Sequence, residues 1–449
     1  MIFLKETILN KLQDNPIVQQ MLQFGNNIGN LLPNEEALCL ASAFMQDKQT
    51  RIVVKKNRYE AQQLYQRLKP LIDDTLLFVM EESLRVQAIA SSPEDKQEQL
   101  YVLTQLVKED KPRIIICNTA AFFRYLPDKE LFRSLCFKFE VDQEITMTEL
   151  KQKLNRAGYT KVNYVDRPCT YASRGGIVDV YCLEYDHPIR IEFFDTVIES
   201  IRIFHEETQR TIETIDSVFI NPATDLLFTD DQIEFLQNEI DSELEKQHEK
   251  LIQDDYDFLL DYIEKDKIAL ENYDIDPHLY IYFSYLKANQ FMDYVGGHII
   301  FSSQEEVENG YKKLNEETIS FIQEMVESHQ YLPKYSMFHD VFTFEKEHNI
   351  QMFHDFMDFK NPIFSKIETL EKLDQPLIQI LENLKGNTIY ISLDKEHTKK
   401  VEEALKAYSI HRNITFIEDD FYEGFMYEDI SVYTQQELFH RPSQIKRYQ

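Results

Sequence analysis

Three short apolar runs, RIVVK (51–55), TLLFV (75–79) and RIIIC (113–117), alternate with polar segments that carry helix signals. Runs of this length and content suit strands buried on both faces. After the first run comes NRYEAQQLYQRLKP, where Asn57 can cap a helix, Glu60 stands three residues on, and Pro70 follows the end. Before the third run comes SPEDKQEQLYVLTQLVKED, with Ser92 at the cap and Pro93 in the first turn. Parallel strands need a crossover long enough to hold a helix, so strand–helix–strand repetition restricts this region to a parallel sheet covered by helices.

The pattern then changes. TMTELKQKLNRAGY reads as a helix with a Thr146–Glu149 capping box and Gly158 as its stop. It is followed by KVNYV, GIVDVYC, PIRIEFF and VIESIRIF, which are short and alternating, as in a small antiparallel sheet. From IDSVFINPA (215–223) the chain is expected to turn helical and acidic. The simplest arrangement is an α+β domain inserted into an α/β domain that resumes near residue 213. TIYISLDKEHTKKVEEALKAYS reads as a strand, an Asp394 cap and a helix with Val401, Leu405 and Tyr408 at helical spacing. With ITFIEDD and ISVYTQQELF as further strands, it predicts a separate small α/β domain, and HRPSQIKRYQ reads as a linker. The fold class is α/β.

A length of 449 residues with 43% hydrophobic content suits two to four globular domains. No apolar run approaches the ~18 residues of a membrane span. MIFLKETILNKLQDNP has an early charge and no small-residue cleavage site, so no signal peptide is expected. Five scattered cysteines without CxxC spacing suggest reduced core thiols, a cytoplasmic location and no metal site. The net charge of −30 opposes unaided DNA binding, which depends on neutralising phosphates. That charge is uneven: residues 230–276 hold seventeen acids against four lysines, whereas residues 146–205 hold eight of each sign. An acidic partner could dock on the neutral window.

Chemistry-bearing motifs are scarce. Ahead of the first buried run stands FGNNIGNLLPNEEALCLASAF, with Gly25 and Gly29 but no Lys-Ser or Lys-Thr. A phosphate-cradling GxxxxGK[ST] loop is therefore not present, and Glu35 and Glu36 oppose phosphate. No strand ends in an evident Asp-Glu pair, so no bound nucleotide cofactor is expected. The twelve histidines form no HExxH, and no serine or cysteine sits in a nucleophile motif.

The neutral window contains TYASRGGIVDVYCLEYDHPIRIEFFD (170–195). Alternation in a strand places Arg190, Glu192 and Phe194 on one face, and Ile189, Ile191 and Phe193 on the other, which should be the core. GIVDVY can pair antiparallel with IRIEFF across a turn at 183–188. Gly175-Gly176 permits a bulge or unusual φ that could aim Arg174 onto the Arg190 face. Two readings stay open: an interaction hot spot with an exposed Phe beside arginine, or a strand end with a solvated arginine and Phe194 packed under a loop.

The segment GYTKVNYVDRPCTYASRGGIVDVYCLEYDHPIRIEFFDTVIESIRIFHEETQRTIETIDSVFINPA resembles the inserted domain 2 of the bacterial transcription-repair coupling factors, shared more distantly with excinuclease B. YEAQQLYQRL, SSPEDKQEQLYVL and the ISVYTQQELF ending also fit. The resemblance covers the N-terminal part of that family, ending before its polymerase-interacting and motor parts. It implies a helicase-like domain 1 from residues 1–125 (1a) and 213–345 (1b), with a degenerate P-loop. Domain 2 (126–212), domain 3 (346–440) and a linker (441–449) follow from it. It also implies that domain 2 binds excinuclease A through Arg174, Arg190 and Phe194, and that this part is not itself catalytic. ATP and magnesium would belong to motor domains, as would contacts to RNA polymerase and DNA. A C-terminal domain would mask the domain 2 face in the intact protein, so this chain is expected to bind excinuclease A constitutively. The rivals are an active ATPase and a direct DNA-binding module.

Overall fold

The structure is a computed structural model that describes residues 2–25, 28–82, 93–274, 276–354, 363–372, 374–418 and 421–439. Ser92, the Asp419-Asp420 pair and the tail from His440 lie outside the described residues. The chain opens with β1 (Ile28–Gly29), β2 (Arg51–Lys55), β3 (Thr75–Phe78) and β4 (Ile114–Asn118), with helices over Pro33–Asp47, Arg58–Leu68 and Pro93–Lys108 between them. The helix at Arg58 starts as expected, with the Asn57 side chain accepting from the Glu60 backbone at 2.9 Å. The reciprocal bond of a capping box is replaced by an ion pair of Glu60 with Lys56.

The chain then leaves this sheet. β5 (Phe137–Glu140) precedes a helix over Met147–Arg156, whose capping box has Thr146 and Glu149 satisfying each other's backbone N–H. That helix stops at Gly158, φ +84°, with Gly158 and Tyr159 donating to Asn155 and Leu154, the two bonds of a Schellman motif. β6 (Thr160–Lys161), β7 (Thr170–Arg174), β8 (Ile177–Tyr181), β9 (Ile189–Phe194), β10 (Val197–Phe204) and β11 (Thr211–Ile215) form one sheet in sequential order. All its pairings are antiparallel except the short β6–β7 contact, so only the start of KVNYV joins the ladder.

SVFI is not the start of the helical region: β12 (Ser217–Ile220) pairs antiparallel with β5, and the acidic helices begin only at Asp230. They run over Asp230–His248 and Gln253–Asn272. β13 (His298–Phe301) and, after a helix over Gln304–Glu327, β14 (Ile350–His354) rejoin the first sheet. Its order is β1-β14-β13-β2-β4-β3, and every pairing is parallel. The sheet thus extends past the 345 boundary expected from sequence, and the antiparallel region past 212 to Ile220. Alternate residues of β2 and β4 feed two cores. Ile52, Val54, Ile115 and Cys117 face a core shared with the antiparallel sheet, while Val53, Ile114 and Ile116 face the other.

β15 (Ile367–Thr369), β16 (Thr388–Ser392), β17 (Ile414–Ile417), β18 (Phe425–Tyr427) and β19 (Ile430–Tyr433) form a third sheet, order β15-β18-β19-β16-β17. It has a core of its own on one face, but Phe425, Tyr427, Ile430 and Val432 pack into the second core of the first sheet. Arg67 ties the two together, pairing with Glu423 at 2.9 Å and lying over the Tyr422 ring. ISVYTQQELF is a strand only to Tyr433. Thr434 bonds Glu437 through its backbone N–H and its hydroxyl, and this cap starts a helix over Gln435–Phe439. Among the described residues no helix is long and apolar enough to cross a membrane.

Candidate partner-binding face

Two tight hairpins build the site. Arg174 pairs with Ile177 across Gly175-Gly176, a two-residue loop whose first member has φ +60°. Positive φ at that position marks a type II′ turn, where glycine is unstrained. Gly176 packs closely on β9: a Cβ there would stand 3.0 Å from the Phe193 carbonyl and push it by a few tenths of an ångström, and the Gly176 carbonyl accepts from Phe193 N–H at 2.8 Å. The glycine pair is therefore a turn that docks on β9. Phe194 pairs with Val197 across Asp195-Thr196, where Asp195 takes φ +55°, a conformation Asp tolerates better than most residues. Because Ile177 pairs with Glu192, both hairpin tips lie at the same end of the sheet.

Register decides the faces. Cross-strand partners share a face, which puts Arg174, Ile177, Asp179, Arg190, Glu192, Phe194, Val197 and Arg202 on one side. Val178, Val180, Ile189, Ile191, Ile198 and Ile201 are on the other, all buried. Phe193 packs half-buried on that core, whereas Phe194 is 73% exposed. The structure thus brings all three sequence-derived residues onto one face, with Arg174 and Phe194 at its tip.

Their environments differ. Arg190 donates from Nε and Nη2 to the two Asp179 oxygens, each at 2.8 Å, and from Nη2 to Gln209 Oε1 at 2.8 Å. Its guanidinium lies over the Phe204 ring, 4.4 Å from the centroid. The hydrogen bond to Asp179 outweighs burial and raises the Arg190 pKa, so the group stays charged. Arg202 is ion-paired with Glu192, which also accepts from Ser200 Oγ at 2.7 Å. The Arg174 side chain is exposed and makes no ion pair or hydrogen bond among the described residues. Sequence reasoning missed Asp179, Gln209, Ile177 and Val197. Pairing Asp179 with Arg190 needs the strand register, which the sequence does not carry.

The start of the helix at Pro33, the place for a phosphate in a nucleotide site, is held by the chain's own carboxylates. Glu35 accepts from Leu32 N–H at 2.8 Å and from Ser365 Oγ at 2.6 Å. Glu36 is buried and paired with Lys55 at 2.8 Å. Negative charge is favourable at a helix N-terminus, so these side chains fill the role an anion would. Among the described residues no group of three or more His, Cys, Asp or Glu could hold a metal ion.

Residues 137–226 match the family of the UvrB interaction domain, a span that runs from β5 through β12. The chain is 31% identical over 304 residues to the transcription-repair-coupling factor of Bacillus subtilis (strain 168), covering 66% of this chain and 25% of that protein. It is 28% identical over 308 residues to that of Staphylococcus haemolyticus (strain JCSC1435), covering 67% and 26%. With the protein of the same name from Staphylococcus epidermidis (strain ATCC 12228), identity is 27% over 336 residues, covering 72% and 28%. The chain spans about a quarter of the length of these curated relatives. The chain is thus similar to the transcription-repair-coupling factors over about two thirds of its length, and its residues 137–226 match the model of the UvrB interaction domain.

Proposed function

We propose that this chain is a non-catalytic recruitment module that binds excinuclease A through the two-hairpin face, with Arg174, Arg190 and Phe194 as its contacts. The observation that carries the reading is the placement of an exposed Phe194 and an unpaired Arg174 at one end of the sheet, in the charge-neutral part of an acidic chain. The arginines would donate charge-assisted hydrogen bonds to acidic groups on the partner, and Phe194 would fill an apolar pocket. In a whole coupling factor, a motor using ATP and magnesium would displace RNA polymerase stalled at a lesion, and this part would recruit excision repair. A further domain would mask the face until then. The parallel sheet would be the helicase-like domain 1, extended to His354, with domain 2 inserted and the third sheet as domain 3.

The self-occupied helix start at Glu35 and Glu36 supports loss of nucleotide binding. A direct DNA-binding role is disfavoured because Lys55 and Lys56, at the carboxyl end of β2, are neutralised by Glu36, Glu60 and Glu306. Replacing Arg174, Arg190 and Phe194 together by alanine should weaken excinuclease A binding by at least about tenfold, with an unchanged circular dichroism spectrum. Wild-type affinity in a calorimetric titration would sink the assignment.

A further inference from the structure

The two arginines of this face are in different electrostatic states. The Nε–Nη2 edge of Arg190, the side-on fork that takes a carboxylate in two parallel bonds, is closed by Asp179. Gln209 and the Phe204 ring fix it further, and Nη1 alone makes no hydrogen bond among the described residues. Asp179 also offsets the Arg190 charge at 2.8 Å. Glu192 cannot do the same for Arg174, because Arg202 and Ser200 occupy it. Long-range attraction follows uncompensated charge, whereas a pre-ordered donor loses less entropy on docking.

We infer that, on the reading that this face binds excinuclease A, the arginines divide the task. Arg174 supplies the charge that steers association. Asp179 is a positioning residue that holds Arg190 so that its Nη1 end donates to a single acceptor oxygen in the docked complex.

Stopped-flow association and dissociation of the full chain with excinuclease A, at NaCl from about 50 to 500 mM, tests this. Arg174→Ala should slow association about 3- to 10-fold at low salt, with the deficit fading at high salt. Arg190→Ala combined with Asp179→Asn, which removes the pair at constant net charge, should speed dissociation about tenfold and leave the salt dependence of association as in wild type. Asp179→Asn, which keeps the shape and removes the charge, should speed both association at low salt and dissociation. In an Arg190→Ala background it should leave dissociation unchanged, which a general structural role for Asp179 would not produce. Gln209→Ala, which leaves the charge balance intact, should speed dissociation alone and stands in if Asp179→Asn fails to fold. The inference is overturned if the charge-neutral Asp179→Asn/Arg190→Ala variant flattens the salt dependence as far as Arg174→Ala, or if both Asp179→Asn and Gln209→Ala change dissociation equally with and without Arg190. If neither arginine variant alters binding, the recruitment reading falls and takes this inference with it.

Discussion

Phe193 and Phe194 are adjacent in the chain and opposed in the fold, so the pair separates the site from the scaffold. Phe194 is 73% exposed, with Val197 as its partner across the hairpin. Burying a whole Phe side chain is worth about 1.5–3 kcal/mol, and roughly three-quarters of this one is free to be covered, so docking should gain about 1–2 kcal/mol. Phe194→Ala should then weaken binding of excinuclease A about 5- to 30-fold. As a surface truncation it should move the stability by no more than about 0.5 kcal/mol. Phe193 packs half-buried on the shared core. Its replacement by alanine should cost about 1–3 kcal/mol of stability, less than the 3–5 of a fully buried Phe. Isothermal titration calorimetry reads the first effect and urea unfolding followed by circular dichroism the second. Wild-type affinity for Phe194→Ala, or a urea midpoint lowered as far as that of Phe193→Ala, would refute the reasoning.

Two further tests address the scaffold. Arg124 and Asp225 form an ion pair at 2.7 Å, nearly buried on both sides, with Gln99 and the Tyr280 ring around the guanidinium. Asp225→Ala leaves that charge uncompensated and should destabilise the protein by about 3–5 kcal/mol in urea unfolding; a loss below about 1 kcal/mol would mean the pair is hydrated. His278 Nε2 meets Asp266 Oδ1 at 2.8 Å, and Tyr282 donates to Oδ2 at 2.7 Å. Burial pushes the His278 pKa down, but the hydrogen bond to Asp266 and its charge outweigh that and hold it above 6.5. A raised folded-state pKa gives stability that is full below the unfolded value and lost as pH rises through the folded one. The urea-midpoint difference between wild type and His278→Gln should therefore be largest below about pH 6.5 and shrink above it; a pH-independent difference would contradict the pairing.

Much of the fold was legible because its signals are local. RIVVK became β2 at its predicted residues, Thr146–Glu149 and Gly158 bounded their helix, and alternation in IRIEFF placed Phe193 and Phe194 on the correct faces. A cap or a side-chain period involves residues within a few positions of each other, so the sequence carries it whole. One error came where a neighbour distant in sequence decides: SVFI is a strand because β5 pairs with it. The other was a local signal passed over, the Thr434–Glu437 cap that ends β19 and starts the helix over Gln435–Phe439.

By itself, then, the sequence determined the strand–helix alternation, the capped helix that stops at Gly158 and the two faces of the ribbon, since each follows from backbone sterics and period. Only the tertiary structure decided the order in which β13 and β14 join the first sheet, that Asp179 closes the fork of Arg190, and that Arg174 and Phe194 lie at one end. Those outcomes depend on strand register and crossover, which bring together residues with no local reason to be neighbours.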